Sequence, residues 1–295
     1  MPERQPLPHR GAWWLASHHV RGASWYWRVA GRLARTPARS LVELPDGSRL
    51  AFDPADWIAL NTYRGLYERA ERAVVAALLR PGDHVVDVGA NIGVFTLLAS
   101  DRVGPDGRVV AVEPSPRCHP LLDLAVGAAR HANISVHAVA VGDVGGTAVL
   151  RGHERPSHAG GGSLRDDMGD DDGVEVPVVR LDGLLVEERV EEVAVLKVDV
   201  EGYEPQVLDG LGGLDGRVRH ALIELTPDFG TTDWGADLLR RAGDLYVAHA
   251  VGERRALVGR PELVPLTPAE IAGSPTQVNV LFSRRDVAGA LPFRR

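Results

Sequence analysis

Asp87-Val88-Gly89-Ala90-Asn91-Ile92-Gly93 joins an apolar run, His84-Val85-Val86, to the helix-like segment Phe95-Thr96-Leu97-Leu98-Ala99. These residues therefore occupy a strand-to-helix turn, the place where doubly wound α/β sheets take nucleotide-like ligands. Glycine serves there because the backbone must bend sharply and approach a ligand that a Cβ would push away. The spacing G-x-N-x-G is one residue shorter than the dinucleotide fingerprint G-x-G-x-x-G and lacks the second glycine that admits a pyrophosphate. An apolar strand, Arg108–Val112, then ends in Glu113, 20 residues past Gly93, with Pro114 closing it. A carboxylate at the end of a second strand can accept both hydroxyls of a ribose. Together the two features predict a Rossmann-like α/β sheet that binds a nucleotide-like ligand other than NAD.

A third segment, Val193-Ala194-Val195-Leu196-Lys197-Val198-Asp199-Val200-Glu201-Gly202, is a buried-strand pattern that ends in charged residues, at the sheet edge where open α/β folds hold ligands. Period-two alternation puts Lys197, Asp199 and Glu201 on one side for as long as the strand persists. "LKVDVEGYE", with "DVGANIGVFT", "AVEPSP", "AVAVGD" and the upstream "GLYERAE", resembles the FkbM family of S-adenosylmethionine (SAM) methyltransferases, over about residues 63 to 226. The resemblance implies a class I enzyme that O-methylates hydroxyls, often on sugars or on polyketide-type secondary metabolites; it does not name the acceptor. It also implies that Asp87, Gly89, Ala90, Asn91 and Gly93 form the cofactor loop and that Glu113 takes the ribose.

Methyl transfer to a hydroxyl is an in-line displacement in which alignment does much of the work and a base adds about 10²- to 10⁴-fold. Asp199, Glu201 and Glu224 are the candidate bases. Lys197 is the one lysine beside 32 arginines, so either arginine would not serve there or composition bias left a single lysine. Asp199 and Glu224 could instead hold Mg²⁺, but no further oxygen ligand is identifiable and no metal is expected. Glu201 or Glu204 could cap the helix that begins near Gly202. Where related enzymes place a carboxylate for the adenine amino group, this chain has Ala140, with Asp143 three residues late. Either the backbone at Ala140 and Val141 meets the adenine or the loop bends Asp143 inward. Glu68, with Tyr63 and Tyr67, precedes the cofactor loop and is a candidate contact at its methionine end; core packing is the alternative for the tyrosines.

At 295 residues and 44% apolar content the chain can bury a full core, read as one enlarged domain over residues 63–285. Residues 1–62 form an extension and 286–295 a tail. A single cysteine, Cys118, excludes an internal disulfide and, with no leader pattern, points to a cytoplasmic setting. The apolar run Ala73–Leu79 is too short to span a bilayer. A net charge of −7 gives no reason to expect nucleic acid. Residues 1–40 nonetheless hold seven arginines against Glu3 alone, a balance of +6, and four of the six tryptophans, Trp13, Trp14, Trp25 and Trp27. Such a segment could pack on the domain, cap the acceptor cleft, pair two copies as a homodimer, or meet a partner or lipid surface.

The elements that must position these residues follow from local pattern. Residues 40–52 read as a hairpin around Pro45-Asp46-Gly47, and Tyr63 to Leu79 as one helix. Residues 118–129 read as a helix and 134–139 as the third strand. Residues 145–181 insert two short strands, Thr147–Leu150 and Val174–Val179, around a glycine stretch, His153, His158 and the acidic run Asp166, Asp167, Asp170, Asp171 and Asp172. That run is expected to be a solvated loop, and the insertion could close over acceptor. Strands at 218–225, 245–248 and 277–282 would complete seven, the last antiparallel, unless the C-terminal pair is a detached hairpin. The expected activity is O-methylation of a small molecule; N-methylation of a small amine or a SAM-binding scaffold without turnover are the alternatives.

Overall fold

The computed structural model describes residues 3–17, 23–35, 37–44, 47–151, 162–164, 173–214, 216–227, 232–253 and 261–293. Its first 52 residues make a layer of their own. Glu3–Arg4 (β1) is followed by helices Leu7–Ser17 (α1) and Ala23–Leu33 (α2), and then by Ser40–Glu43 (β2) and Arg49–Phe52 (β3). β2 lies between β1, to which it is parallel, and β3, to which it is antiparallel. The expected hairpin is therefore present, and Gly47 takes the positive φ of 82° that its turn requires. Pro45 and Asp46 lie outside the described residues.

The single helix expected from Tyr63 to Leu79 is instead two, Trp57–Tyr63 (α3) and Arg69–Leu78 (α4). Between them the chain leaves helical geometry, with Gly65 at φ 70° and Glu68 at φ 36°. The break is held from outside. Gln5 Nε2 donates to Tyr63 O at 2.6 Å, Trp27 Nε1 donates to Arg64 O at 3.1 Å, and the Trp13 ring lies against Gly65. Helical periodicity cannot show an interruption imposed by groups 37 and 58 residues away. His9, buried and kept neutral by that burial, bridges Tyr63 Oη at 2.6 Å and Ala34 O at 3.1 Å. Trp13, Leu50, Phe52 and Tyr63 thereby pack on Ile92 and Leu97, so the extension has a core shared with the domain.

Alternating strands and helices follow: His84–Val88 (β4), Val94–Val103 (α5), Arg108–Val112 (β5), His119–Gly127 (α6) and Ile134–His137 (β6). Ala140–Val141 (β7), Gly146–Leu150 (β8) and Val174–Val179 (β9) form a separate sheet in the order β7-β9-β8. The two strands expected in the insertion thus pair with each other, and β9 also pairs with β7, which the sequence had not marked as a strand. His153, His158 and the run Asp166, Asp167, Asp170, Asp171 and Asp172 lie outside the described residues. Leu181–Glu187 (α7), Val193–Val198 (β10), Glu204–Leu211 (α8), Val218–Leu225 (β11), Asp233–Leu245 (α9), Tyr246–Glu253 (β12), Pro261–Leu266 (β13), Pro268–Ala272 (α10) and Val278–Arg284 (β14) complete the fold.

Among the described residues the central sheet has eight strands, ordered β13-β12-β14-β11-β10-β4-β5-β6. The eighth is β13, whose Pro261 and Pro265 suit an edge because proline cannot donate to a ladder. β14 inserts antiparallel between β11 and β12, which rules out a detached C-terminal hairpin. Val86, Val88, Val110, Val112, Leu196 and Val198 bury one face under α7 and α8; Val85, Val109 and Val195 bury the other against α4 and α5. Strands covered on both faces read as continuous apolar runs, which is how β4, β5 and β10 appear in the sequence. Residues set apart as a tail pack instead: Ala288 and Leu291 are buried, and Leu263 N donates to Phe293 O at 3.1 Å. Among the described residues no helix is long and apolar enough to cross a membrane.

The chain passes from β4 to β5 on one side and returns to β10 on the other, so the carboxyl end of β4 is the switch point at which such sheets bind ligands. Tyr63→Phe keeps the ring in place and removes the hydroxyl that pairs with buried His9. Urea unfolding should show a loss of about 1–2 kcal/mol with an unchanged m-value; a change within error would mean that this clasp contributes nothing.

Candidate active site

β4 ends at Val88, and the chain enters α5 through Gly89 (φ 84°), Asn91 (φ 52°) and Gly93 (φ 83°). Gly89 N and Ala90 N both donate to Val112 O, at 2.9 and 3.0 Å, which ties the loop to β5. A Cβ on Gly89 would stand 1.9 Å from Asp199 O, so this approach of two strand ends is open to glycine alone. Asp87 is buried below the loop and accepts from Thr96 Oγ1 at 2.7 Å. Asp87, Ala90 and Gly93 shape the turn from behind, whereas Gly89 and Asn91 face a cavity of about 780 Å³ over the carboxyl ends of the strands.

Glu113 reaches that cavity from the end of β5. Its carboxylate accepts from Asn91 N and Ser115 N, both at 2.8 Å, and burial pushes it up to about 6. Each carboxylate oxygen keeps a second lone pair, so Glu113 can still accept from a vicinal diol. Ala140 and Val141 line the cavity, whereas Asp143 is exposed and off it, its carbonyl accepting from Arg180. Ala140 and Val141, and not Asp143, are thus the residues at the cavity.

At the other end of the cavity stand Glu68, Asp199, Glu201 and Glu224. β10 stops at Val198, so strand alternation does not carry to Glu201; a left-handed turn with Glu201 at φ 54° brings it in. Ser163 Oγ donates to Glu201 O at 2.9 Å, which pins part of the insertion at the rim. Glu204 holds the turn from below, accepting from Val200 N at 3.2 Å and Gly202 N at 3.0 Å, and burial pushes it up to about 7. Both donors precede α8, so Glu204 braces the turn and does not cap the helix, whose N-cap position, Tyr203, makes no side-chain capping bond.

Lys197 lies beneath this group, not on the cavity wall. Its Nζ is 2.8 Å from Asp199 Oδ2 and 4.8 Å from the centre of the Phe95 ring. Burial lowers its pKa, but Asp199, Glu68 and Asp87 outweigh that and raise it. A compact ammonium fits this slot under a ring and between carboxylates, where a planar guanidinium would demand more acceptors and more room. Burial raises Asp199, yet Lys197 and a hydrogen bond from Glu224 bring it below the ordinary carboxylate value. Glu224, raised by burial and then by Asp199, is pushed up to about 9 and holds its proton at neutral pH. Glu68, raised chiefly by burial, stands at about 7. Burial raises Glu201 as well, with Asp199 adding to it. The sequence had not marked Trp57, Ser163, Tyr203 and Gln277 as cavity residues. Ser163, Tyr203 and Gln277 lie outside the helices and strands, and Trp57 opens α3, so their positions depend on chain paths for which no local pattern exists.

Residues 87–246 match the family model described as the methyltransferase FkbM domain. The chain belongs to the FkbM methyltransferase family. It is 33% identical over 201 residues to the 31-O-demethyl-FK506 methyltransferase FkbM of Streptomyces tacrolimicus, covering 58% of this chain and 75% of that one. Solved structures that resemble it include a precorrin-6Y C5,15-methyltransferase of Geobacter metallireducens, at 12% identity and TM-score 0.38, over 72% of this chain and 85% of that one. Another is Aeropyrum pernix fibrillarin with natively bound S-adenosyl-L-methionine, at 16% identity and TM-score 0.37, over 83% and 93%. This FkbM-family chain is a SAM-dependent methyltransferase with a Rossmann-like sheet. The residues present would fit the cofactor: Glu113 keeps lone pairs for a diol, the backbone at Gly89 is bare of a side chain, and carboxyl groups line the cavity that a cationic ligand would enter. Among the described residues no three His, Cys, Asp or Glu side chains converge as a metal site.

Glu224, Glu68, Glu204 and Glu113 stand at about 9, 7, 7 and 6, above the ordinary glutamate value, and Asp199 alone in this group is shifted the other way. Between about pH 4.5 and 9 the folded chain thus retains protons that the unfolded chain has released. Stability is fully present below that window and declines as pH rises through it. Thermal unfolding should give a falling Tm from about pH 6 to 9, with Glu224→Gln flattening the upper part. A Tm that climbs across the window would contradict the raised values.

Proposed function

We propose that this chain transfers the SAM methyl group to a hydroxyl of a small molecule, with Glu113 on the cofactor ribose and Glu201 as the base at the acceptor end. The observation that carries the reading is the convergence of Gly89, Glu113 and four carboxyl groups on one cavity. An alcohol is a poor nucleophile, and a base matched to neutral pH helps most. Burial raises Glu201 in that direction and it lines the cavity, whereas Asp199 is held low by Lys197 and Glu224. The cavity of about 780 Å³, which the cofactor would share, suits a small acceptor such as a sugar or part of a polyketide-type metabolite. The name of the Streptomyces relative, a 31-O-demethyl-FK506 methyltransferase, supports an oxygen acceptor. N-methylation of a small amine is the second reading, favoured by the carboxyl excess around the acceptor end.

Asp199 already has an ammonium at 2.8 Å and a carboxyl donor from Glu224, so the place a divalent cation would take at these strand ends is filled from within the chain. Catalysis without metal follows from that reading. Assembly as a homodimer through the extension is supported by Trp14 and Trp25, which remain 52% and 59% exposed on α1 and α2.

Glu113→Ala should weaken SAM binding by about 10- to 100-fold in calorimetry, the worth of one or two hydrogen bonds to a charged group. Unchanged affinity would remove Glu113 from the cofactor site. With a panel of hydroxyl acceptors, Glu201→Gln should lower kcat by about 10²-fold or more while SAM affinity stays within a few-fold. EDTA should leave the native rate intact. Turnover confined to amine acceptors would replace the hydroxyl reading with the second one, and loss of all turnover in EDTA would restore a metal.

A further inference from the structure

Glu68 before α4, Asp199 and Glu201 after β10, and Glu224 on β11 bring four carboxyl groups to one end of the cavity. Other charges face them from each packed element: Lys197 on β10, Asp87 on β4, Glu71 on α4 and Glu204 on α8. The Tyr67 hydroxyl bonds Glu68, and Gln277 just before β14 and Asn279 on it are uncharged, the latter donating to Glu71 at 3.1 Å. One ammonium against so many acids leaves a deficit of positive charge. Asp199 and Glu224 follow the paired residues Val198 and Ile223 of neighbouring strands and share a hydrogen bond, which two carboxyl groups can make only with a proton between them. That proton makes up part of the deficit.

The cofactor brings a positive charge of its own, on sulfur, and loses it in the reaction. We propose that the cluster exchanges a proton for that charge: the Glu224–Asp199 proton leaves to solvent when the sulfonium binds, and the acceptor's proton enters the cluster when the methyl leaves sulfur. The inference rests on SAM-dependent transfer to a hydroxyl at this cavity. In the transfer step the acceptor oxygen forms a bond to the methyl carbon, and the C–S bond breaks with its electron pair remaining on sulfur. The O–H bond breaks with its proton passing to a carboxylate of the cluster. With sulfur neutral, the pair is again protonated as in the cofactor-free chain, and no charge is left unbalanced when the product leaves. The next sulfonium expels that proton, so each turnover delivers one proton to solvent.

Calorimetric titration of the full chain at about pH 8, in two buffers of different ionisation enthalpy, counts protons exchanged on binding. The pH lies between the values of Glu68 and Glu224, where the pair is poised to lose a proton. SAM should release about one proton per site and S-adenosylhomocysteine, uncharged at sulfur, close to none. Glu224→Gln still donates to Asp199 but has no proton to lose, so it should bind SAM with release near zero. Equal release by both ligands in the native chain, or full release by folded Glu224→Gln, overturns the exchange and leaves the cofactor assignment standing. If neither ligand binds the native chain, the assignment itself fails and the exchange with it. Should Glu224→Gln not fold, the comparison of the two ligands in the native chain decides alone.

Discussion

The carbonyl of Asp199 and the bare Cα of Gly89 meet more closely than any side chain permits, since a Cβ would stand 1.9 Å from that oxygen. The approach continues the ladder between β4 and β10, with Asp199 N donating to Val88 O at 3.1 Å one step past the last strand residue. It sets the cofactor loop and the carboxyl cluster at a fixed distance across one sheet edge. From there the arrangement of charge follows. Asp199 is held where Lys197 can reach it, Glu224 on the neighbouring strand lies close enough to share a proton, and the left-handed turn at Glu201 starts from the same point.

The extension acts on this edge through the turn that carries Glu68. A residue at φ 36° is uncommon outside glycine, and such geometry persists where the surroundings impose it. Here Gln5, Trp13 and Trp27 supply the constraint at Tyr63, Arg64 and Gly65, and Arg69 Nη1 donates to Ala16 O just beyond. The aromatic residues that look superfluous to a minimal sheet are thus divided. Trp13 and Trp27 hold the turn, while Trp14 and Trp25 face outward.

Burying several acids around one lysine costs stability, because each ionised carboxylate in a low dielectric is disfavoured unless paired. The chain meets that cost by pairing Asp199 with Lys197, by satisfying Glu113 and Glu204 with backbone N–H groups, and by keeping Glu224 neutral. Acids held by partners in this way are rigid, and rigidity is what alignment of an acceptor with a methyl group demands.

Local pattern determined the parts of this protein whose causes are local. The glycine turn at residues 89–93, Glu113 at the end of its strand, and the continuous apolar runs of β4, β5 and β10 were legible because sterics and burial on both faces dictate residue type over a few positions. Family likeness rested on the same short segments. Tertiary structure alone decided the rest. The helix break at residues 64–68 is imposed by side chains up to 58 residues away, and β13 exists because β12 offers it an edge. The choice of Ala140 and Val141 over Asp143 at the cavity came from the separate sheet that β7 joins. Lys197 was conspicuous in the sequence as a lone lysine, but its place beneath the acids rather than among them was not. Alternation predicts the side of a strand, while the end of the strand, where alternation stops, is set by what the neighbouring strands pair with.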